Sequence, residues 1–260
     1  MATYPQLGTG ALSQYPVRKT RRTRTVVNLA ADGSTIKLAD PASEATEWVL
    51  AYTGISDDEA AALRSFFDAM EGTLNGFTFV DPAGNLLAWS EQLDNAAWQK
   101  DPLLSPASGM DDPAGGTRAW RLSNGGGGSQ SVWQTLAAPG EYQYCLSAYV
   151  RSATTANVRL TVGSTVADRT ATSSWKRIEW TAAGGTQTGS VRFAIEIPSG
   201  SVVDVYGLQV EAQPTASGYK ASAQGGVYED THLGDDALTI TRTDVNRNSC
   251  TVKIIHANHL

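Results

Sequence analysis

Residues 77–98, FTFVDPAGNLLAWSEQLDNAAW, hold a seam between two kinds of sequence. Upstream, a helical pattern runs into a short aromatic strand that stops at Asp81-Pro82, because proline has no amide to give to a sheet ladder. Downstream, from Leu86 to about Tyr219, the chain turns rich in Gly, Ser and Thr, with short alternating segments between turn residues. After Gly225-Gly226 the earlier composition returns. The pattern predicts one domain built from residues 1–85 and 220–260, with residues 86–219 inserted into it as a second.

Local signals fill in both parts. Residues 1–16 read as an extended arm containing Pro5 and Pro16. A basic strand follows, with Arg18, Arg22 and Arg24 on one face and Lys19 and Arg21 on the other. Asp32-Gly33 is a hairpin turn signal, with a return strand from Ser34 to Leu38, and Glu47 to Tyr52 reads as a separate strand. The helix spans about 56–71. Ser56 is its N-cap, Glu59 completes a capping box, and Asp57 and Asp58 lie where the helix dipole favours negative charge. Leu63, Phe66, Phe67 and Met70 form its apolar stripe, and Gly72 is its stop. ALTITRT and SCTVKIIHA read as a closing hairpin around 244–248. Inside the insertion, YQYCLSAYVRS, NVRLTVG, KRIEWTAA, SVRFAIEI and VVDVYGLQVEA are five strands, and Gly125 to Gly128 is a flexible loop. The expected fold class is mainly β: a small β-barrel-like domain with one α-helix, interrupted by a β-sandwich.

Bulk properties remove several functions. The net charge of −6 argues against nucleic acid as the main partner of the surface, although residues 17–25 hold five of the twenty basic side chains. No segment approaches the roughly 18 apolar residues of a membrane span, and the first sixteen residues lack the charged start and apolar run of a signal peptide. Cys145 and Cys250 stand in no metal or redox spacing and read as free thiols. The adjacent carboxylates Asp57-Asp58, Asp111-Asp112, Glu229-Asp230 and Asp235-Asp236 cannot face each other across a cleft as glycoside hydrolysis requires. No nucleophile motif or phosphate-binding loop is present. The chain is read as a non-enzyme without a cofactor or metal. His256 and His259 lack a third ligand at useful spacing.

The order basic strand, Asp-Gly turn, edge strand, LRSFFDAMEGTLNGFTFVDP and closing hairpin resembles the distal tail or minor tail-tip protein family of long-tailed bacteriophages. NLLAWSEQLDNAAWQK (85–100), SAYVRS (147–152), SSWKRIEWT (173–181) and VYGLQVEAQPTASGYKAS (205–222) resemble jelly-roll, galactose-binding-like domains of the carbohydrate-binding-module kind. The first resemblance implies a virion tail protein folded in the bacterial cytoplasm. It would form a ring, as a hexamer, at the end of the tail tube, contacting the tube protein and a tip or hub protein, with DNA only as passing cargo. The second implies an outward domain that contacts host surface glycans or neighbouring tail proteins. The alternative is a free-standing carbohydrate-binding protein without a tail role.

The candidate site residues follow. Arg18, Lys19, Arg21, Arg22 and Arg24 are expected at a subunit interface, a channel lining or a solvated edge; residues 1–80 carry seven basic and nine acidic side chains, so local compensation is expected. Of seven tryptophans, Trp133, just past the glycine run, is the candidate sugar platform, and the others are read as core.

Overall fold

The computed structural model describes residues 3–185 and 189–257. The chain forms two compact units, one of residues 1–8, 12–79 and 228–260, the other of residues 9–11 and 80–227. In the first lie β1 (Val17–Leu29), β2 (Thr35–Ile55), α1 (Asp57–Met70) and β3 (Phe77–Val80), joined after the insertion by β14 (Val227–Leu233), β15 (Ile240–Asp244) and β16 (Arg247–Ala257). Their sheet runs β1-β2-β16-β14-β3, with β15 also on β16. It is an open path rather than a closed barrel.

Alternation on the central strands makes the core face of this unit. Trp48, Leu50 and Tyr52 of β2 are buried together with Cys250, Val252 and Ile254 of β16, which pair with them in register. Helix α1 lays Leu63, Phe66 and Met70 against the core. Its start is held by the capping box: Glu59 N donates to Ser56 Oγ (3.1 Å) and Ser56 N to Glu59 Oε2 (2.8 Å). Its end turns left-handed one residue before the expected glycine, at Glu71 (φ 51°). The arm is not free. Tyr4 is fully buried, edge-on to Phe66 at 5.2 Å and Phe79 at 5.8 Å, and its hydroxyl meets that of Tyr52 at 2.8 Å. Each such ring pair adds about 1 kcal/mol to simple area burial.

β2 corrects one expectation. The segments read as two strands are one, and its register against β1 jumps from Arg22↔Ala45 to Arg24↔Asp40. The excess residues form a bulge around Pro41, where a missing amide costs no ladder bond. Beyond the bulge the β1–β2 hairpin is a two-stranded ribbon exposed on both faces. Its loop closes through Ala30 N to Ser34 O (2.8 Å), with Gly33 at φ +84°.

The second unit is a sandwich of two five-stranded antiparallel sheets. One runs β10 (Thr165–Ala171), β9 (Ala156–Val162), β12 (Val191–Ile197), β7 (Gln130–Leu136), β4 (Gln99–Lys100). The other, called here the arginine sheet, runs β11 (Lys176–Ala183), β8 (Gln143–Arg151), β13 (Val202–Glu211), β6 (Ala119–Asn124), β5 (Leu104–Met110). The five expected strands are β8, β9, β11, β12 and β13; β4 to β7 and β10 complete the sheets. Leu146, Ala148 and Val150 from one sheet and Phe193, Ile195 and Ile197 from the other are all buried, and Tyr144 meets Phe193 edge-on at 5.2 Å. The chain entering and leaving this unit is tied by Asp81 N donating to Gly226 O (2.8 Å). No helix of the described residues is long and apolar enough to cross a membrane.

Candidate functional site

Strand alternation sends every second residue of the arginine sheet away from the sandwich core. On β8 these are Cys145, Ser147, Tyr149 and Arg151; the register places them beside Glu211, Gln209, Tyr206 and Asp204 of β13. Thr181, Glu179 and Arg177 of β11 flank Cys145, Ser147 and Tyr149 on the other side. One residue too many on β13 between Tyr206 and Gln209 makes a bulge. It falls at Gly207, whose φ of +65° favours glycine and where a Cβ would press on Tyr219 at 3.2 Å and Tyr149 at 3.3 Å.

Half of this outward face is roofed by the chain's own return. Gln209 accepts from Lys220 N (2.7 Å), and Glu211 accepts from Ser217 N (2.9 Å), Ser217 Oγ (2.5 Å) and Gln209 Nε2 (2.7 Å). Thr181 Oγ1 donates to Pro214 O at 2.9 Å. Gln209 and Glu211 are consequently buried although they point out of the core. The Gln-Val-Glu, turn and Tyr sequence is therefore a clasp: two polar side chains catch the backbone that follows them. Beneath it, burial pushes the Cys145 thiol up to about 11, which leaves it protonated and a poor nucleophile.

The other half is open, and guanidinium groups and aromatic rings alternate across it. Arg121 holds Asp204 bidentately (2.8 and 3.1 Å) and Arg151 Nε reaches the same carboxylate at 3.0 Å. Burial alone would raise Asp204, but the hydrogen bonds and charges of Arg121 and Arg151 outweigh it and hold the carboxyl below its usual range. Arg151 lies over Trp175 at 4.7 Å and Arg177 over Tyr149 at 5.5 Å. Tyr149 approaches Tyr206 at 6.1 Å, and Tyr206 approaches Tyr219 at 5.2 Å. Arg118 caps this row over Tyr206 (5.3 Å), held by Asp112 (3.2 Å) and Glu91 (3.1 Å). Tyr149, Trp175 and Tyr219 are half-buried. Half-exposed rings backed by fixed donors and acceptors can seat a sugar ring and orient its hydroxyls.

The residues singled out from sequence lie elsewhere. Trp133 is on the outward face of the other sheet, between Gln99 of β4 and Ala194 of β12. It is half-buried, and the Arg192 guanidinium sits over its ring at 4.4 Å. One face of the indole is therefore taken by a guanidinium, as one face of Trp175 is by Arg151 and one face of Tyr149 by Arg177. On β1, Arg21 pairs with Glu44 (2.8 Å), Arg22 with Glu47 (2.5 Å) and Arg24 with Asp40 (3.5 Å). Lys19 is opposite Trp48, with its ammonium over the Trp48 and Tyr228 rings at 5.2 and 5.3 Å and donating to the Tyr228 hydroxyl at 3.1 Å. Arg18 is exposed opposite Val49. His256 packs on Tyr228 at 5.2 Å; His259 lies outside the described residues. Trp175, read as core, is a half-exposed member of the open face instead.

No family model matches this sequence, and no curated protein matches it. Among solved structures, the chain is similar to the enzymatically active domain of tailspike protein 4 of bacteriophage CBA120, at 15% identity and TM-score 0.36, covering 50% of this chain and 22% of that one. It is also similar to the carbohydrate-binding module TmCBM61, solved with β-1,4-galactotriose, at 10% identity and TM-score 0.38, covering 49% of this chain and 98% of that one. The C-terminal family 22 carbohydrate-binding module of Clostridium thermocellum Xyn10B matches at 11% identity and TM-score 0.39, covering 53% and 99%. The chain thus spans about a fifth of the tailspike domain and nearly all of the two modules. The fold of the inserted unit is read from its own two sheets, not from these distant likenesses.

Proposed function

We propose that this chain is a structural protein of a phage or phage-like tail whose inserted sandwich binds a surface glycan on the open half of the arginine sheet. The observation that carries the binding role is the block of Trp175, Arg151, Tyr149 and Arg177, with Tyr206 and Asp204 beside it: rings and fixed polar groups on one sheet face. Copies in a ring would raise a weak affinity by avidity. The tail role rests on the ordered pattern of basic strand, capped helix and closing hairpin.

Assembly is supported by the β1–β2 ribbon. Val27 (59% exposed), Leu29 (77%), Ile36 (49%) and Leu38 (51%) stand in solvent on both its faces, which is unusual for a monomer's surface. A second copy of this chain is the partner proposed for that tip, in a heterologous contact that closes into a ring beside the tube and tip proteins.

Affinity electrophoresis of the purified full chain against a panel of neutral and acidic polysaccharides tests the binding role. Trp175→Ala and Tyr149→Ala should each weaken retardation about tenfold, roughly 1.4 kcal/mol, while leaving the melting temperature within a few degrees. Retardation by no polysaccharide, or variants that bind like the parent, would overturn it. Native mass spectrometry tests the tail role, where discrete rings are expected; a monomer that still binds glycan would favour the free-standing carbohydrate-binding protein.

A further inference from the structure

Within the open half, four residues form a two-by-two block on neighbouring strands. Arg151 stacks on Trp175 (4.7 Å) and Arg177 on Tyr149 (5.5 Å). Tyr149 and Arg151 are two apart on β8; Arg177 is the second residue of β11, and Trp175 immediately precedes that strand. The arginines therefore lie on one diagonal and the rings on the other. Diagonal neighbours on a sheet face are roughly 7–8 Å apart, close enough for two guanidinium groups to share one anion.

Both guanidinium groups keep donors in reserve. Arg151 spends its Nε on Asp204 (3.0 Å), and neither of its terminal nitrogens has a hydrogen-bond partner among the described residues. Arg177 spends one terminal nitrogen on the neutral Ser147 hydroxyl (3.0 Å); its Nε is buried, so the other terminal nitrogen, without a partner among the described residues, is the donor it can offer. Three nearby carboxylates, by contrast, are committed: Asp204 is held by Arg121 and Arg151, Glu211 by Ser217 and Lys220, and Glu91 by Arg118. The carboxylate of the exposed Glu179, two residues from Arg177, accepts only from Ala216 N at 3.4 Å among the described residues and marks the acidic edge of the block. A chain that is acidic on balance, at −6, thus keeps spare guanidinium donors beside half-buried aromatic rings. A guanidinium fork matches a carboxylate better than it matches a hydroxyl, and pairs with it more strongly.

We infer, resting on the glycan-binding reading above, that the ligand is an acidic polysaccharide of the uronate class: a sugar carboxylate bridges Arg151 and Arg177 while the pyranose ring packs against the part of Trp175 or Tyr149 that the guanidinium leaves uncovered. The net negative charge of the chain gives no general attraction to polyanions, so the preference belongs to this block.

Affinity electrophoresis or calorimetry on the full chain, with polygalacturonate, neutral β-1,4-galactan and dextran sulfate, tests it. Polygalacturonate should bind at least tenfold tighter than galactan, and lose about tenfold at about 0.5 M NaCl, where the Debye length has fallen to roughly 4 Å. Arg177→Gln should remove the preference for polygalacturonate and leave residual binding to galactan; Arg177→Lys, which keeps the charge and the packing stem, should restore part of it. Galactan bound as tightly as polygalacturonate would overturn the inference and leave the glycan role standing. Dextran sulfate binding that equals polygalacturonate and is unchanged in Arg177→Gln would overturn it as mere charge attraction. Binding to none of the three would sink the glycan role itself.

Discussion

On β1 the arginines answer carboxylates one strand away; on the sandwich they lean on aromatic rings and crowd a single buried aspartate. The first group, Arg21, Arg22 and Arg24, is consecutive enough to catch the eye in the sequence, yet each has its own acid on β2, and their side chains are 58–68% exposed. The second group, Arg118, Arg121, Arg151 and Arg177, is scattered over sixty residues, and no two of its members are adjacent in the chain. Antiparallel register brings it to one face. A run of like charges on an edge strand discourages pairing with another chain, and here the strand beside it supplies the counter-charges. Charges gathered from several strands are held by packing, and packing can leave donors idle.

The sharpest way to test that contrast is Asp204→Ala. The aspartate side chain is 6% exposed and those of its two arginines 45% and 27%, so its loss leaves two cations side by side with no counter-charge. Breaking a buried pair from one side costs about 3–5 kcal/mol; allowing for the solvent that reaches both arginines, about 2 kcal/mol is expected. The measurement is the urea unfolding midpoint. A loss no larger than that of a β1 arginine variant would erase the distinction between the two groups.

A smaller effect follows from acid. The Asp204 carboxyl is held below its ordinary value when folded, against an unfolded-state value of about 3.9. The unfolded chain thus binds the proton first. This group's stabilisation is fully present above about pH 4 and is lost as pH falls through the folded value. Asp112 is shifted in the same direction; its burial is outweighed by the amides of Gly116, Ala114 and Arg118. Stability against urea should therefore be insensitive to Asp204 between pH 7 and pH 5, and begin to fall below about pH 4. Asp204→Asn should flatten part of that fall, and identical acid profiles for the two proteins would show that the aspartate is not the tuned group.

The same contrast explains what could be read from the residues alone. Local chemistry was legible. The Ser56–Glu59 cap, the Asp32-Gly33 turn and the alternation of YQYCLSAYVRS each depend on neighbours within a few positions, and each is found in place. Pairing at long range was not. The two segments around Pro41 looked like separate strands because a proline inside a ladder is tolerated only at an edge, a strand start or a bulge, and this bulge is visible only once β1 is alongside. The open face escaped for a related reason. Tyr149, Arg151, Arg177 and Asp204 are ordinary outward residues of three strands, with Trp175 just ahead of β11, and only the register of β8 with β11 and β13 makes them one surface. Trp133 shows the same limit, since its place just past a glycine run says nothing of the Arg192 guanidinium that sits over one face of its ring.

The smallest expected effect is the most decisive for β1. Arg21→Ala and Arg24→Ala each remove one exposed ion pair, with side chains 68% and 67% exposed, and should shift unfolding by no more than about 0.5 kcal/mol, less at high salt. Neither should change polysaccharide retardation. If both proteins also give the same native mass as the parent, the arginines of this strand are a solvated edge, and any contact between copies belongs to Val27, Leu29, Ile36 and Leu38 beyond the bulge. If instead either substitution breaks up a ring while leaving the urea midpoint in place, the exposed pair is serving a neighbour's surface rather than its own fold. Unfolding and mass must be measured on the same preparation, since only their combination separates a charge that stabilises the strand from one that recruits a partner.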